Sequence, residues 1–233
     1  MIHLTFTWPP RGGAGVDCFE ICKRLARDHQ VCLFVPAFQY GFKRFQASEP
    51  LPFRVEPISF EMWNYTIARV KSLFRERVLA FGPDLIIVGD AWTMKPHLIH
   101  AFPDFPVISR YYAYESLCLV RNGQLFRNGA FCLNHLLKNA EKCRACAFRW
   151  VGKVILNHQK EDFAKIHEFF MAGAWSAAYV EAVKTSLDRV KKIIVYNQIL
   201  AEILKPWQEK IVQMPSGPGF KITDQLLRGD YPS

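Results

Sequence analysis

Short apolar runs alternate with amphipathic segments along most of this 233-residue chain, and this alternation constrains the fold more than any other feature. The run LIIVGD at 85–90 is the clearest strand, because it is apolar and follows the turn sequence GPD. Similar runs predict strands at 3–7, 31–36, 53–58, 85–90, 105–111, 192–196 and 210–215. Strands that alternate with helices form a parallel sheet covered by helices on both faces. The sequence therefore predicts an α/β domain.

Apolar residues between these strands recur at the three-to-four-residue spacing of helices. The longest series predicts a helix from Trp63 to Phe81. Pro36 is expected to stop the second strand, and Pro57 to weaken the third. The segment 112–150 lacks periodicity and is expected to be irregular. Further helices are predicted at 15–28, 95–102, 151–171, 174–190 (after a hinge at Gly173) and 198–204.

The segment PPRGGAG lies between the first strand and the first helix. Gly12, Gly13 and Gly15 would let backbone N–H groups approach a phosphate at the helix N-terminus, and Arg11 could assist as a phosphate ligand. The alternatives are a tight turn and a solvated arginine. The glycine spacing does not match the dinucleotide fingerprint, so no nicotinamide cofactor is expected.

Charge and composition limit the cellular setting and the class of partner. The formal net charge of +9 suggests phosphate-bearing or otherwise anionic partners, or simply a basic surface. The N-terminus lacks the features of a secretory signal, and no apolar run reaches the roughly 18 residues of a membrane span. A cytoplasmic location is expected, with peripheral contact at the inner membrane face as an option. Nucleic acid is not expected as a partner, because no basic stripe is interleaved with aromatic residues.

Seven cysteines fall into two sets. Cys18, Cys22 and Cys32 lie on predicted helix and strand positions, where small buried apolar residues are expected. The second set lies in the irregular segment and includes a C-x2-C pair, a spacing that lets two thiolates chelate one ion. Its members are Cys118, Cys132, Cys143 and Cys146, with His135 as a substitute ligand. Structural zinc, an iron–sulfur or redox role, and free thiols or disulfides all remain open.

Four segments resemble the N-terminal domain of family 4 retaining glycosyltransferases, which have the GT-B fold of two facing Rossmann-like domains. They are PPRGGAGVDCFEICKRLARDHQVCLFVP, FGPDLIIVGDAW, PVISRYYAYESLC and IIVYNQILAEILKPWQEKIVQMPSGPGF. The resemblance covers about residues 1–220. It implies a Rossmann-like, acceptor-binding domain at 1–217, with a cysteine-rich insertion at about 115–150. Residues 218–233 would be a linker or tail toward a donor-binding domain.

The resemblance also implies roles for residues at the carboxyl edge of the sheet, where α/β proteins bind ligands. Aromatic residues there would stack on a glycan or lipid-linked acceptor, and Glu115 would bond a hydroxyl; packing at the sheet edge is the alternative. The glycine segment would face the diphosphate of a nucleotide-sugar donor. The acceptor candidates are Asp90, Trp92, Tyr111, Tyr112, Tyr114, Glu115 and Asn197. Similar cysteine groupings in some family members favour a structural role for the second cysteine set.

Two departures from the family pattern qualify the expected activity. Tyr112 and Ala113 stand where the family usually carries histidine and aspartate. The resemblance stops near Phe220, so the chain alone is expected to bind a donor only in the millimolar range, about 4 kcal/mol. A different class of function stays open, namely a non-catalytic Rossmann-like module with a zinc-stapled loop that recruits a protein or nucleic-acid partner.

Overall fold

The computed structural model describes residues 2–4, 13–38, 51–120, 126–127, 130–158 and 162–214. Nine strands lie in this part of the chain: β1 (Ile2–Leu4), β2 (Cys32–Phe38), β3 (Arg54–Phe60), β4 (Ile86–Val88), β5 (Val107–Arg110), β6 (Phe126–Arg127), β7 (Ala130–Phe131), β8 (Lys192–Val195) and β9 (Ile211–Gln213). The α-helices are α1 (Gly13–Leu25), α2 (Ile67–Phe81), α3 (Lys95–His100), α4 (Ala140–Leu156), α5 (Phe163–Met171), α6 (Ala177–Arg189) and α7 (Gln198–Ile203).

Seven of the strands form one parallel sheet in the order β3-β2-β1-β4-β5-β8-β9, and β6 pairs antiparallel with β7. The predicted α/β class with a parallel sheet is confirmed. The order reverses direction between β1 and β4, which makes the sheet compatible with a Rossmann-like fold. A ligand is therefore expected at the carboxyl ends of the central strands β1 and β4.

Side chains of β2 alternate between two separate cores, one on each face of the sheet. Leu33 and Val35 pack with Cys18 and Cys22 of α1, whereas Phe34 belongs to the larger core formed with the later helices. Successive strand residues point to opposite faces, so both faces are covered, as expected for a parallel sheet. Each fully buried apolar side chain contributes roughly 1.5–3 kcal/mol.

Both strand prolines are accommodated, and the expectation that Pro36 ends β2 was wrong. The strand continues to Phe38, and Pro36 lies opposite Ile58 of β3. The described pairing of β1 with β2 covers only Cys32 to Phe34, so Pro36 lies beyond it. Pro57 lies on β3, the outermost strand, where a missing N–H on the outer side removes no ladder bond.

The helix predicted from Trp63 begins later, at Ile67. Trp63 lies in a preceding 3₁₀ turn with 74% of its surface exposed, so its predicted place on the apolar face was wrong. Thr66 caps α2 by accepting a hydrogen bond from the backbone N–H of Arg69 at 3.3 Å. Gly82 ends the helix in the left-handed conformation (φ 65°), and its N–H donates to the carbonyls of the last turn.

The region predicted to be irregular up to 150 contains the first two-thirds of α4. The side chain of Asn139 accepts a hydrogen bond from Lys142 N at 2.9 Å and so starts this helix at Ala140. The single helix predicted over 151–171 was wrong, because α4 ends at Leu156 and α5 begins at Phe163. Gly173 is confirmed as the hinge before α6, with φ 63°.

Two histidines of α3 join the helical layer on the larger core. His97 Nε2 lies 2.8 Å from the carbonyl of Ala172, and His100 Nε2 lies 3.0 Å from Thr185 Oγ1. Burial lowers the pKa of both histidines, so both favour the neutral form in the folded protein. None of the helices in the described part of the chain has the length and apolar composition that crossing a membrane requires.

Candidate ligand site at the carboxyl edge of the sheet

The candidate site lies where the connections of two adjacent central strands diverge. The chain leaves β1 for α1, which packs on the smaller core, and leaves β4 for α3, which packs on the larger one. Connections that leave in opposite directions open a crevice outside the strand ends, and ligands of open α/β sheets bind there. The residues that follow β4 and β5 lie at this edge, and the Asp17–Arg110 ion pair brings α1 to it.

A buried ion pair joins α1 to the end of β5. The side chains of Arg110 and Asp17 are each only 6% exposed, and Arg110 donates from Nε and Nη2 to the same oxygen of Asp17, at 3.0 and 2.6 Å. The two residues are 93 positions apart in the chain. Because an isolated buried charge is costly, each of them requires the other. The pair therefore fixes α1 relative to the strand end.

Lys95 ties the ends of β4 and β5 to each other. Its Nζ donates to the carbonyl oxygens of Gly89 at 2.7 Å and Arg110 at 2.6 Å, and it lies 4.3 Å from the centre of the Tyr111 ring. Only 1% of this lysine is exposed. Burial lowers its pKa, and the neighbouring acids Glu115 and Asp90 act in the opposite direction. Lys95 thus has its partners within the protein and acts as a positioning group.

Glu115 is a buried acid at this edge. It is 3% exposed, and its Oε1 accepts a hydrogen bond from the backbone N–H of Tyr112 at 3.0 Å. Its Oε2 is buried and finds no hydrogen-bond donor among the residues that the structure describes. Burial raises the pKa of Glu115, the Lys95 ammonium lowers it, and the Asp90 carboxylate raises it. A buried carboxylate oxygen without a donor is unfavourable unless a ligand supplies one.

Two residues beside Glu115 and Asp90 have strained backbones. Ser116 has φ 59° and Trp92 has φ 33°, values that non-glycine residues seldom adopt. The hydroxyl groups of Ser116 and Tyr111 lie 3.3 Å apart, which helps to hold the turn that contains Glu115. Strain of this kind costs of order 1–3 kcal/mol and is concentrated at functional sites. Both strained positions flank the candidate crevice.

The aromatic acceptor candidates are mostly buried at the sheet edge. Tyr111, Tyr114 and Trp92 are exposed by 2%, 5% and 8%. Trp92 meets Trp150 of α4 edge to face at 6.3 Å, and Tyr114 similarly meets Tyr196 at 6.5 Å. Their packing agrees with the alternative of sheet-edge packing, and their role in stacking on a glycan stays a prediction.

The remaining edge candidates have separate positions. Tyr112 packs against the smaller core, with the Arg110 guanidinium 5.1 Å from its ring centre. Asp90 follows β4 in a bend and is within electrostatic reach of Cys18, Lys95 and Glu115. Asn197 caps α7, because its Oδ1 accepts a hydrogen bond from Leu200 N at 2.9 Å. This capping role accounts for an asparagine at position 197 without a ligand.

The glycine segment is described only in part. Arg11 and Gly12 lie outside the described residues, whereas Gly13 and Gly15 form the first turn of α1, two residues earlier than the predicted helix start. Backbone N–H groups in the first turn of a helix have no intrahelical acceptor. The predicted phosphate site therefore retains suitable donors at α1.

The second cysteine set comes together in space, although its members come from three segments. Burial raises the pKa of the Cys143 thiol to about 12, and Cys118, Cys132 and Cys146 all raise it further. All seven cysteines are free thiols. Within the described ranges, no three side chains of His, Cys, Asp or Glu are arranged to hold a metal ion. The first set, by contrast, lies fully buried in the two cores, as predicted.

Sequence reasoning missed the three charged residues that organise the site: Asp17, Lys95 and Arg110. Each interrupts an apolar pattern, as in PVISR and WTMKPHL, and a charge inside a buried element is a signal that it has a partner. The partner itself could not be read from the sequence, because the fold decides which distant segments meet. No protein-family model and no curated protein match this chain.

Proposed function

We propose that this domain binds the acceptor of a retaining glycosyltransferase of the GT-B type, and that Glu115 is its central acceptor ligand. The observation that carries the proposal is the buried Oε2 of Glu115, which lacks a donor among the described residues at the carboxyl edge of the sheet. The order of segments that resembles family 4 glycosyltransferases supports the same assignment.

The local charge favours a ligand rich in hydroxyl groups. Glu115 and Asp90 are within electrostatic reach of each other, so an anionic group placed between them would be repelled. A sugar hydroxyl donates a hydrogen bond to a carboxylate and brings no charge, and hydrogen bonds with one ionised partner are the stronger ones. A glycan or the sugar part of a lipid-linked acceptor meets both conditions.

A phosphate-bearing donor would have a separate place at the start of α1. The helix N-terminus provides positive potential and unused N–H donors, which together favour an anion. Asp17 lies in the first turns of this helix and would oppose an anion if it were unpaired. Its ion pair with Arg110 offsets that charge. The two subsites would therefore bind two chemically different substrates, the acceptor at Glu115 and the phosphate-bearing donor at the start of α1.

The surrounding contacts make Glu115 a preorganised ligand. Lys95 joins the end of β4 to the end of β5, and Arg110 joins β5 to α1. A site whose supporting groups are already held in place spends less free energy on ordering when the ligand binds.

Isothermal titration calorimetry tests the proposal. Short glycans and water-soluble analogues of lipid-linked sugars are titrated into the wild-type chain, into Glu115→Gln and into Glu76→Gln, whose side chain is exposed on α2. We expect at least one acceptor to bind, at least tenfold weaker binding to Glu115→Gln, equivalent to about 1.4 kcal/mol, and unchanged binding to Glu76→Gln.

Two results would contradict the proposal. One is that no glycan in the panel binds the folded wild-type chain. The other is equal affinity of Glu115→Gln and the wild type, because the glutamine keeps the shape and the Oε1 acceptor but loses the carboxylate. Circular dichroism of each variant establishes that a lost affinity does not come from a lost fold.

A further inference from the structure

Three chain segments that carry the second cysteine set are already joined by hydrogen bonds. Leu136 N donates to Leu117 O at 2.8 Å, which joins the loop before α4 to the turn that carries Cys118. Asn134 Nδ2 lies 3.0 Å from Cys143 Sγ, which joins the same loop to the first turn of α4. The loop begins at Cys132, directly after β7. The fold therefore brings these four cysteines to one place.

The helix contributes two of the four thiols from one side. Cys143 and Cys146 are three residues apart on α4, and residues at this spacing share a helix face. Cys143 lies in the larger core, and Cys118 and Cys132 pack against the same core. Cys143 is 9% exposed, and the other three are partly exposed, which leaves a route for an ion.

We propose that Cys118, Cys132, Cys143 and Cys146 bind one zinc ion that fastens the turn after β5 to the start of α4. Four thiolates suit a closed, tetrahedral structural site, with zinc–sulfur distances of about 2.3 Å. The described sulfurs do not form a ligand set as they stand, so binding requires changes in cysteine rotamer. Neutral thiols gain little from such close contact, whereas thiolates around a cation gain much.

His135 is an alternative zinc ligand close to the four cysteines in the chain. Its Nδ1 is buried and has no hydrogen-bond partner among the described residues. It lies in the loop between Cys132 and Cys143, and a neutral imidazole is a good zinc ligand. The four-thiolate site predicts that His135→Ala keeps the metal, and loss of zinc from this variant would overturn the assignment of all four cysteines.

Metal content is the first measurement. The full chain is purified without chelator and analysed by inductively coupled plasma mass spectrometry, beside Cys143→Ser, Cys118→Ser and Cys32→Ala. Cys32 lies on β2, away from the set, and serves as the matched control. We expect about one zinc per chain in the wild type and in the control, and at least a tenfold loss in the two serine variants.

Cobalt replacement keeps the test decisive if a serine variant fails to fold. The wild-type chain, stripped of metal and reloaded with Co(II), should show the intense visible absorption of a tetrahedral cobalt thiolate, and adding Zn(II) should abolish it. Absence of both zinc and the cobalt spectrum would overturn the proposal. Disulfides among the four cysteines, or iron with a brown chromophore, would overturn it as well. None of these readouts depends on the glycosyltransferase assignment.

Discussion

Two clusters of reactive side chains are held in different ways, although Glu115 of the first is only three residues from Cys118 of the second. Around Glu115, the ion pair of Arg110 with Asp17 and the two hydrogen bonds of Lys95 already fix the strand ends. Around Cys143, Asn134 Nδ2 lies 3.0 Å from the sulfur, and the thiols do not form a ligand set. The first cluster is ordered by its own polar groups, whereas the second would be ordered by an ion.

Removal of Arg110 should have the largest effect. Arg110→Ala leaves Asp17 buried without its guanidinium partner, which we expect to cost about 3–5 kcal/mol in the free energy of unfolding measured with urea. The double variant Asp17→Asn with Arg110→Met should recover much of that loss, because no charge is left buried.

A surface ion pair provides the control for that experiment. Arg75 and Asp104 lie 2.6 Å apart, with side chains 35% and 66% exposed. Asp104→Asn should cost no more than about 1 kcal/mol, since water replaces the lost partner. If Arg110→Ala were as mild as Asp104→Asn, the carboxyl edge would not be held by its ion pair.

Removal of metal should have the next largest effect and should be local. If zinc orders the second cluster, a chelator should raise amide hydrogen exchange between Cys132 and Ala147 at least tenfold, equivalent to about 1.4 kcal/mol. Exchange in β4 and β5 should stay unchanged, because Lys95 holds those strand ends without an ion. Equal acceleration in both regions would mean that the two clusters are not independently ordered.

Acid should act on the helical layer through its buried histidines. Burial lowers the pKa of His97, so the unfolded chain binds its proton more readily and stability should fall as the pH drops below about 6.5. His97→Gln keeps a donor to the Ala172 carbonyl and should lose part of this pH dependence in thermal unfolding. The exposed His29→Gln should show the same pH dependence as the wild type.

Glu115 should show the smallest effect on stability, and one of opposite sign. Burial raises its pKa, so the folded chain binds the proton more readily and stability should fall as the pH rises above about 4.5. Glu115→Gln should lose this decline and be at least as stable as the wild type at pH 8. A clearly less stable Glu115→Gln would indicate a donor to Oε2 from within the protein.

The parallel sheet was predictable because its strongest strands are defined by local sequence. The run LIIVGD contains β4 (Ile86–Val88), because a continuous apolar run suits a strand buried on both faces, and Gly82 ends the preceding helix as its position suggested. The start of α4 was missed although the signal is present: Asn139 is a good N-cap, and Glu141 follows it in the first turn.

The candidate site was predictable only as a location. The carboxyl edge and Glu115 follow from strand order and chain position, so they could be proposed from the sequence. The pairing of Asp17 with Arg110 could not, because it depends on α1 and β5 meeting across 93 residues. Burial of Tyr111 and Trp92 was also beyond sequence reasoning, since an aromatic residue suits a core and a binding surface equally well.

The proline of β3 has a consequence for how the protein behaves at high concentration. β3 is the outermost strand on its side of the described sheet, and an unprotected outer strand invites pairing with another molecule. Pro57 removes one backbone donor there, and the neighbouring Arg54 and Glu56 form an ion pair with each other on the same strand. An incoming strand would have to bury these charges and would find a gap in the hydrogen-bond ladder. This edge is thereby protected against the intermolecular strand addition that begins aggregation.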